Sequence, residues 1–347
     1  MLAACATQPK SPPGRSAQRV QSQIVLLLPD SVDDPNGWAR DIQIAFDRLG
    51  LTADKPHLCA ALAVIAQEST FEAHPVVPGL ARIARGEIKR RAAQHHIPGF
   101  MVETALKLKS PNGQSYDQRL DAVHTESELS RIFEDLVGSV PLGRRLFGDA
   151  NPVQTGGPMQ VSIDYAEHAA ALDRYPYPVD GSVRREVFSR RGGLYFGIAN
   201  LLDYPVSYSY MRYRFADYNA GHYASRNAAF QHAVALLSGR NLALDGDLLA
   251  PGGQAGATER VVRSLAPRLG LDASAIHDAL SRGTTMAFED TALYRKVYAM
   301  ADAKAGSRQP RAMLPHIRLH SPKISRKLTT AWFARRVDAR YRACLRK

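Results

Sequence analysis

The chain has 347 residues, 45% of them hydrophobic, which is enough to bury one large core or a core with a smaller satellite. No uninterrupted apolar run approaches the roughly 20 residues of a membrane-spanning helix, and no Walker loop, dinucleotide fingerprint, GxSxG elbow or HExxH helix is present. The net charge of +12 is local: thirteen Lys and Arg fall within 304–347 against Asp338 alone, and the rest of the chain balances.

At the N-terminus, Cys5 closes the tetrapeptide Leu2-Ala3-Ala4-Cys5 and is followed by a polar, Pro-containing run over 6–22. The tetrapeptide resembles the bacterial lipobox, in which small residues admit signal peptidase and the new N-terminal cysteine carries lipid. That resemblance implies a signal-peptide remnant over 1–5, lipidation at Cys5, a flexible tether over 6–22, and anchorage on the periplasmic side of the outer membrane, since Ala6 rather than Asp follows the cysteine. The charged n-region and apolar h-region that precede such a site are missing. A start upstream of Met1 accounts for this; an incidental Cys5 in a cytosolic protein is the alternative. In an oxidising compartment Cys59 and Cys344 form either a disulfide or two unrelated buried thiols.

The first predicted helix covers 34–49, with Asp34 as N-cap, Pro35 in the first turn, Trp38, Ile42, Phe46 and Leu49 at helical spacing, and Gly50 as the stop. A second, strongly apolar helix covers 57–71 and is halted by Pro75 and Pro78. Amphipathic helices follow over 83–95, 99–108 and 126–137, separated by turns such as Ser110-Pro111-Asn112-Gly113. A Gly-rich loop, Thr155-Gly156-Gly157-Pro158, leads into a helix over 159–172, and helices over 194–203 and 218–238 complete the main body. Gly252-Gly253-Gln254-Ala255-Gly256 marks a composition break, beyond which short helices over 258–269, 272–281 and 290–305 precede the basic tail. The fold class is mainly α.

Three motifs stand in order: Gln67-Glu68-Ser69-Thr70-Phe71, Gly156-Gly157-Pro158-Met159-Gln160-Val161-Ser162 and Phe215-Ala216-Asp217-Tyr218-Asn219-Ala220-Gly221. Together they resemble the lytic transglycosylase branch of the lysozyme-like superfamily, and more narrowly a family of uncharacterised bacterial lipoproteins assigned to it. The resemblance implies a lysozyme-like helical domain over 23–250 with a helical insertion over 72–155, and leaves 251–347 as a basic helical extension. Its substrate would be peptidoglycan glycan strands, cut at the bond between N-acetylmuramic acid and N-acetylglucosamine. Glu68 would be the single catalytic acid and base, with Ser69 beside it, Met159 and Gln160 lining the facing wall, and Tyr218 and Asn219 positioning the sugar. Gly157 and Gly221 would let a bulky glycan approach. Pro158 stands where the family has leucine, so a binding or scaffold protein without activity is the second reading.

The chemistry needs a carboxylic acid that keeps its proton near neutral pH. Glu68 ends the apolar run 60–66, where packing on one side disfavours the anion, and Glu72, four residues on along the same helical face, would push the same way. Asp217 is either a solvated turn residue or a second carboxylate that assists water, which would make a muramidase-type hydrolase. The aromatic stretch from Tyr195 to Tyr223 is mostly core, with a minority lining a glycan groove. His74, His95 and His96 show no metal-ligand spacing, so neither metal nor cofactor is implied. The basic tail suits an anionic wall or protein partner, or a solvated face; no nucleic-acid partner is expected.

Overall fold

The computed structural model describes residues 16–94, 96–139, 151–319 and 328–347, so Cys5 and residues 6–15 lie outside the described chain. Among the described residues the protein is mainly helical, with seventeen α-helices and one two-stranded antiparallel hairpin.

Ser16 caps α1 (Ala17–Leu27), in which Val20, Ile24 and Leu27 fall on one buried face. Residues 17–22, expected within the flexible tether, are therefore helical; the Gln- and Ser-rich composition hides three apolar positions at helical spacing. In α2 (Pro35–Leu49), the Asp34 side chain accepts from the Gly37 N–H and Gly50 closes the end in the left-handed region. Asp54 caps α3 (Lys55–Glu68), and every residue from Leu58 to Ile65 is buried. A helix apolar on all sides runs through the interior and requires neighbours all round it.

The segment expected as an insertion holds α4 (Leu80–Gln94), α5 (Gly99–Lys107), α6 (Tyr116–Asp121) and α7 (Glu126–Ser139). The hairpin follows: β1 (Thr155–Gly156) pairs with β2 (Val161–Ser162). Next come α8 (Ile163–Ala170), α9 (Val183–Phe188), α10 (Arg190–Leu202), α11 (Met211–Ala220) and α12 (Ala224–Ser238). The single helix expected over 218–238 is two, because Gly221 and Tyr223 take positive φ of 104° and 65° between them. The C-terminal third carries α13 (Ala257–Ser264), α14 (Ala266–Leu269), α15 (Ala273–Ser281), α16 (Ala292–Ala305) and α17 (Thr330–Arg346).

Two apolar cores result. The larger gathers α1, α2, α3, α10, the hairpin and Phe215 and Ala216 of α11. The smaller joins α12 to α13, α15 and α16 through Phe230, Val262, Ile276, Phe288 and Val297. Packing divides the residues 251–347 that composition sets apart. While α13 to α16 build the smaller core, α17 returns to the larger one and packs on α3 and α11, burying Phe333, Ala334 and Val337. A disulfide between Cys59 of α3 and Cys344 of α17, with Cα atoms 5.6 Å apart, joins positions 285 residues apart in sequence.

Candidate active site

Glu68 is the last residue of α3 and is half-buried. Ser69 is the C-cap, and both its N–H and its Oγ turn back to the Ile65 carbonyl, at 3.0 and 3.1 Å. Thr70 and Phe71 then take φ of 53° and 64°. Left-handed backbone at a β-branched and an aromatic residue costs about 1–3 kcal/mol at each position. The Phe71 ring, set edge-on against Trp38 at 5.6 Å, holds the reversal in place. The chain thus leaves the helix abruptly, and no further turn of α3 covers Glu68. Glu72 lies after the reversal and is exposed, so it does not share a helical face with Glu68 as expected.

The hairpin brings the second motif toward this end. At Gly157, with φ 72°, an added Cβ would stand 2.1 Å from the Val187 carbonyl of α9. This glycine is required by close packing against α9, not by the approach of a glycan. Pro158 is buried against Gly193, where a Cβ would meet its ring at 2.5 Å. Met159 is fully buried, and Gly197 of α10 makes room for it, since a Cβ there would lie 2.6 Å from the Met159 sulfur. The Met159 side chain is core rather than cleft wall. Gln160, itself at φ 51°, donates from Nε2 to Glu126 of α7 at 2.9 Å and accepts from the Thr155 hydroxyl at 3.1 Å.

The third motif closes the arrangement from α11. The Tyr218 hydroxyl donates to the Met159 carbonyl at 2.7 Å. Burial, then the Glu68 carboxylate, then Tyr165 push the Tyr218 phenol well above the usual tyrosine range, so it stays protonated and keeps its proton on the bond to the Met159 carbonyl. Asn219 is exposed at the same end, and its Oδ1 accepts from the Thr330 hydroxyl of α17 at 2.8 Å. Nearby, His222 Nε2–H donates to the Asn200 carbonyl at 2.7 Å, and its ring stacks on Tyr204 and meets Tyr165 edge-on. Burial holds its pKa below the ordinary histidine value.

Asp217 matches neither expectation. It is fully buried, and its carboxylate accepts from Tyr204 at 3.2 Å, from Tyr208 and from the Ser225 N–H at 2.7 Å. Burial raises its pKa. It ties the 204–208 loop to the α11–α12 turn and is shut off from any water that could attack a substrate. The aromatic stretch is core over Tyr195, Phe196, Tyr204, Phe215 and Tyr223, while Tyr210 is exposed.

Of the residues picked out by sequence, the fold brings Glu68, Met159 and Tyr218 together through one hydrogen bond and one electrostatic contact. Ser69, Gln160 and Asn219 stand at the ends of the same elements, with side chains that already bond to the protein. Residues missed by sequence border the same region: Thr330 on Asn219, Glu126 on Gln160, and Arg340, whose Nε donates to Gln67 Oε1 at 3.2 Å. Arg340 and Gln67 are 273 positions apart, beyond the reach of any spacing rule. Among the described residues no three His, Cys, Asp or Glu side chains gather to hold a metal ion.

Comparison with known proteins places these features in a family. The chain is 53% identical over 350 residues to "Uncharacterized protein YaiW" of Escherichia coli (strain K12), an alignment covering 100% of this chain and 96% of that protein. No solved structure matches. The family described as "Protein of unknown function (DUF1615)" matches residues 31–347, and the chain belongs to it.

Proposed function

We propose that the protein is a peptidoglycan-cleaving lytic transglycosylase-like lipoprotein with a lysozyme-like core, acting through Glu68 alone. The observation that carries this reading is the meeting of three separated motifs at one helix end: Glu68 on α3, Met159 in the hairpin, and Tyr218 bonded to the second and electrostatically coupled to the first. In this scheme the Glu68 carboxyl donates its proton to the glycosidic oxygen as the bond to the muramyl C1 breaks. The substrate's own acetamido oxygen stabilises the positive C1. The carboxylate then accepts the proton of the muramyl 6-hydroxyl as that oxygen bonds to C1, giving a 1,6-anhydro end without water. Tyr218, kept neutral, holds the Met159 turn against the acid. The enclosure of Asp217 supports one carboxylate rather than two.

The lipobox-like Leu2-Ala3-Ala4-Cys5 and the Cys59–Cys344 pairing support a periplasmic protein anchored by lipid on Cys5 to the outer membrane. The second reading, a wall-binding scaffold without activity, is favoured by the side chains of Ser69, Gln160 and Asn219, which are spent on protein partners. Mass spectrometry of the material that purified protein releases from sacculi separates the readings. Muropeptides with 1,6-anhydro ends support the transglycosylase, reducing ends support a hydrolase, and no release beside firm sacculus binding supports the scaffold.

A further inference from the structure

Several cations of the C-terminal segment are neutralised inside the fold. Arg311 forks onto Asp302, Arg342 and Arg212 share Asp338, and the Lys347 ammonium donates to the Leu27 and Leu28 carbonyls. Arg336 and Arg340 differ, having no acidic partner among the described residues. They lie one turn apart on α17, and one turn before them Trp332 carries the Arg336 guanidinium over its ring at 5.6 Å. Arg340 is half-buried, and among the described residues Nε alone of its five donors has a partner, Gln67. Burial and the neighbouring Arg336 both disfavour its charge. An arginine does not relieve that by losing its proton, whereas an anion set against its remaining donors would.

Their position gives that anion a source. Gln67, the partner of Arg340, directly precedes Glu68, and at the start of α17 Thr330 holds Asn219, the neighbour of Tyr218. The first three turns of α17 thus border the Glu68 end of α3. We propose that Trp332, Arg336 and Arg340 form a subsite for the carboxylates of the peptide stems borne by the glycan, which makes peptide-bearing strands the substrate class. This rests on the reading of Glu68 as acting on peptidoglycan. The guanidinium fork matches a carboxylate geometrically, and the Arg340 side chain is pinned by Gln67 beside the site rather than free to reach a membrane surface.

The test uses the full chain in a Glu68→Gln background, so that binding is read without cleavage. Sedimentation compares intact sacculi with sacculi stripped of stems by an amidase. The subsite predicts about tenfold weaker binding to stripped sacculi, and a similar loss on intact sacculi for Arg336→Gln/Arg340→Gln, which leaves stripped sacculi unaffected. Arg336→Gln alone, at an exposed residue whose guanidinium rests on Trp332, gives a partial loss of the same kind and serves if the double variant does not fold. Equal binding of both sacculi by the parent, or equal loss on both by the variants, overturns the subsite. So does capture of the parent but not the variants by anionic phospholipid vesicles with sacculi indifferent, which assigns the arginines to a membrane. If binding follows the prediction but the protein with Glu68 intact releases nothing, the cleavage reading fails while the subsite stands.

Discussion

Tyr218 and Met159, 59 positions apart, are joined by a 2.7 Å hydrogen bond from the phenol to the backbone carbonyl, and burial followed by the Glu68 charge keeps that phenol protonated. Tyr218→Phe removes the donor and keeps the ring. It should cost about 1–2 kcal/mol of stability by stranding the carbonyl, and it should lower product release by about tenfold to a hundredfold as the turn shifts away from the acid. Thermal unfolding and release from sacculi, measured together, check this. A variant that unfolds earlier but cleaves at the wild-type rate would reduce Tyr218 to a structural residue.

Asp217 offers a contrast, because it is fully buried and its three donors all come from the fold around it. Asp217→Ala leaves those donors without an acceptor and should cost about 3–5 kcal/mol, read as a lower Tm. At a temperature where the variant is folded, its products should have the same chemical ends as those of the wild type. A change from one kind of end to the other would restore this carboxylate to the reaction.

The Cys59–Cys344 bond closes nearly the whole chain into one loop and fastens α17 to the helix that ends in Glu68. Removing it by Cys59→Ser/Cys344→Ser should destabilise the fold by about 2–5 kcal/mol. Reductant should lower the Tm of the wild type toward that of the double variant and leave the double variant unmoved. Mass shifts after alkylation, with and without reduction, report the pairing directly.

Glu87 sets an acid limit on stability. Hydrogen bonds from Arg90 and Arg91 hold its carboxyl at about 2, below the ordinary glutamate value of 4.5. A lowered folded-state pKa means stability that is present above the unfolded value and lost as pH falls through the folded one. The Tm of the wild type should therefore drop as pH is taken from about 5 toward 2, and Glu87→Gln should start lower at neutral pH and fall less steeply. Parallel curves for the two proteins would contradict the assignment.

The parts of the fold that sequence revealed are those written locally. The α2 boundaries follow from Asp34, Pro35 and Gly50, and α3 from Asp54 and an unbroken apolar run. By contrast α11 was hidden: Met211-Arg212-Tyr213-Arg214 has no apolar stripe, because its arginines bond across to Asp338 and to the Leu201 and Tyr204 carbonyls. α17 looked like a solvated tail because its charge outnumbers the buried face of Phe333, Ala334, Val337 and Cys344. The order of motifs singled out Glu68 and Tyr218 as candidates, but a motif does not show that the side chain of Met159 is core and that its carbonyl is what Tyr218 meets. Nor does it show that Asn219 is held by Thr330, a contact set by how α17 docks.

The most direct test is the rate at which purified sacculi yield soluble 1,6-anhydro muropeptides with the wild type and with Glu68→Gln, the variant confirmed as folded by an unchanged Tm. A single acid acting as both proton donor and acceptor predicts a loss of about a thousandfold or more with the amide in place. Anhydro products formed at an undiminished rate by Glu68→Gln would contradict the account.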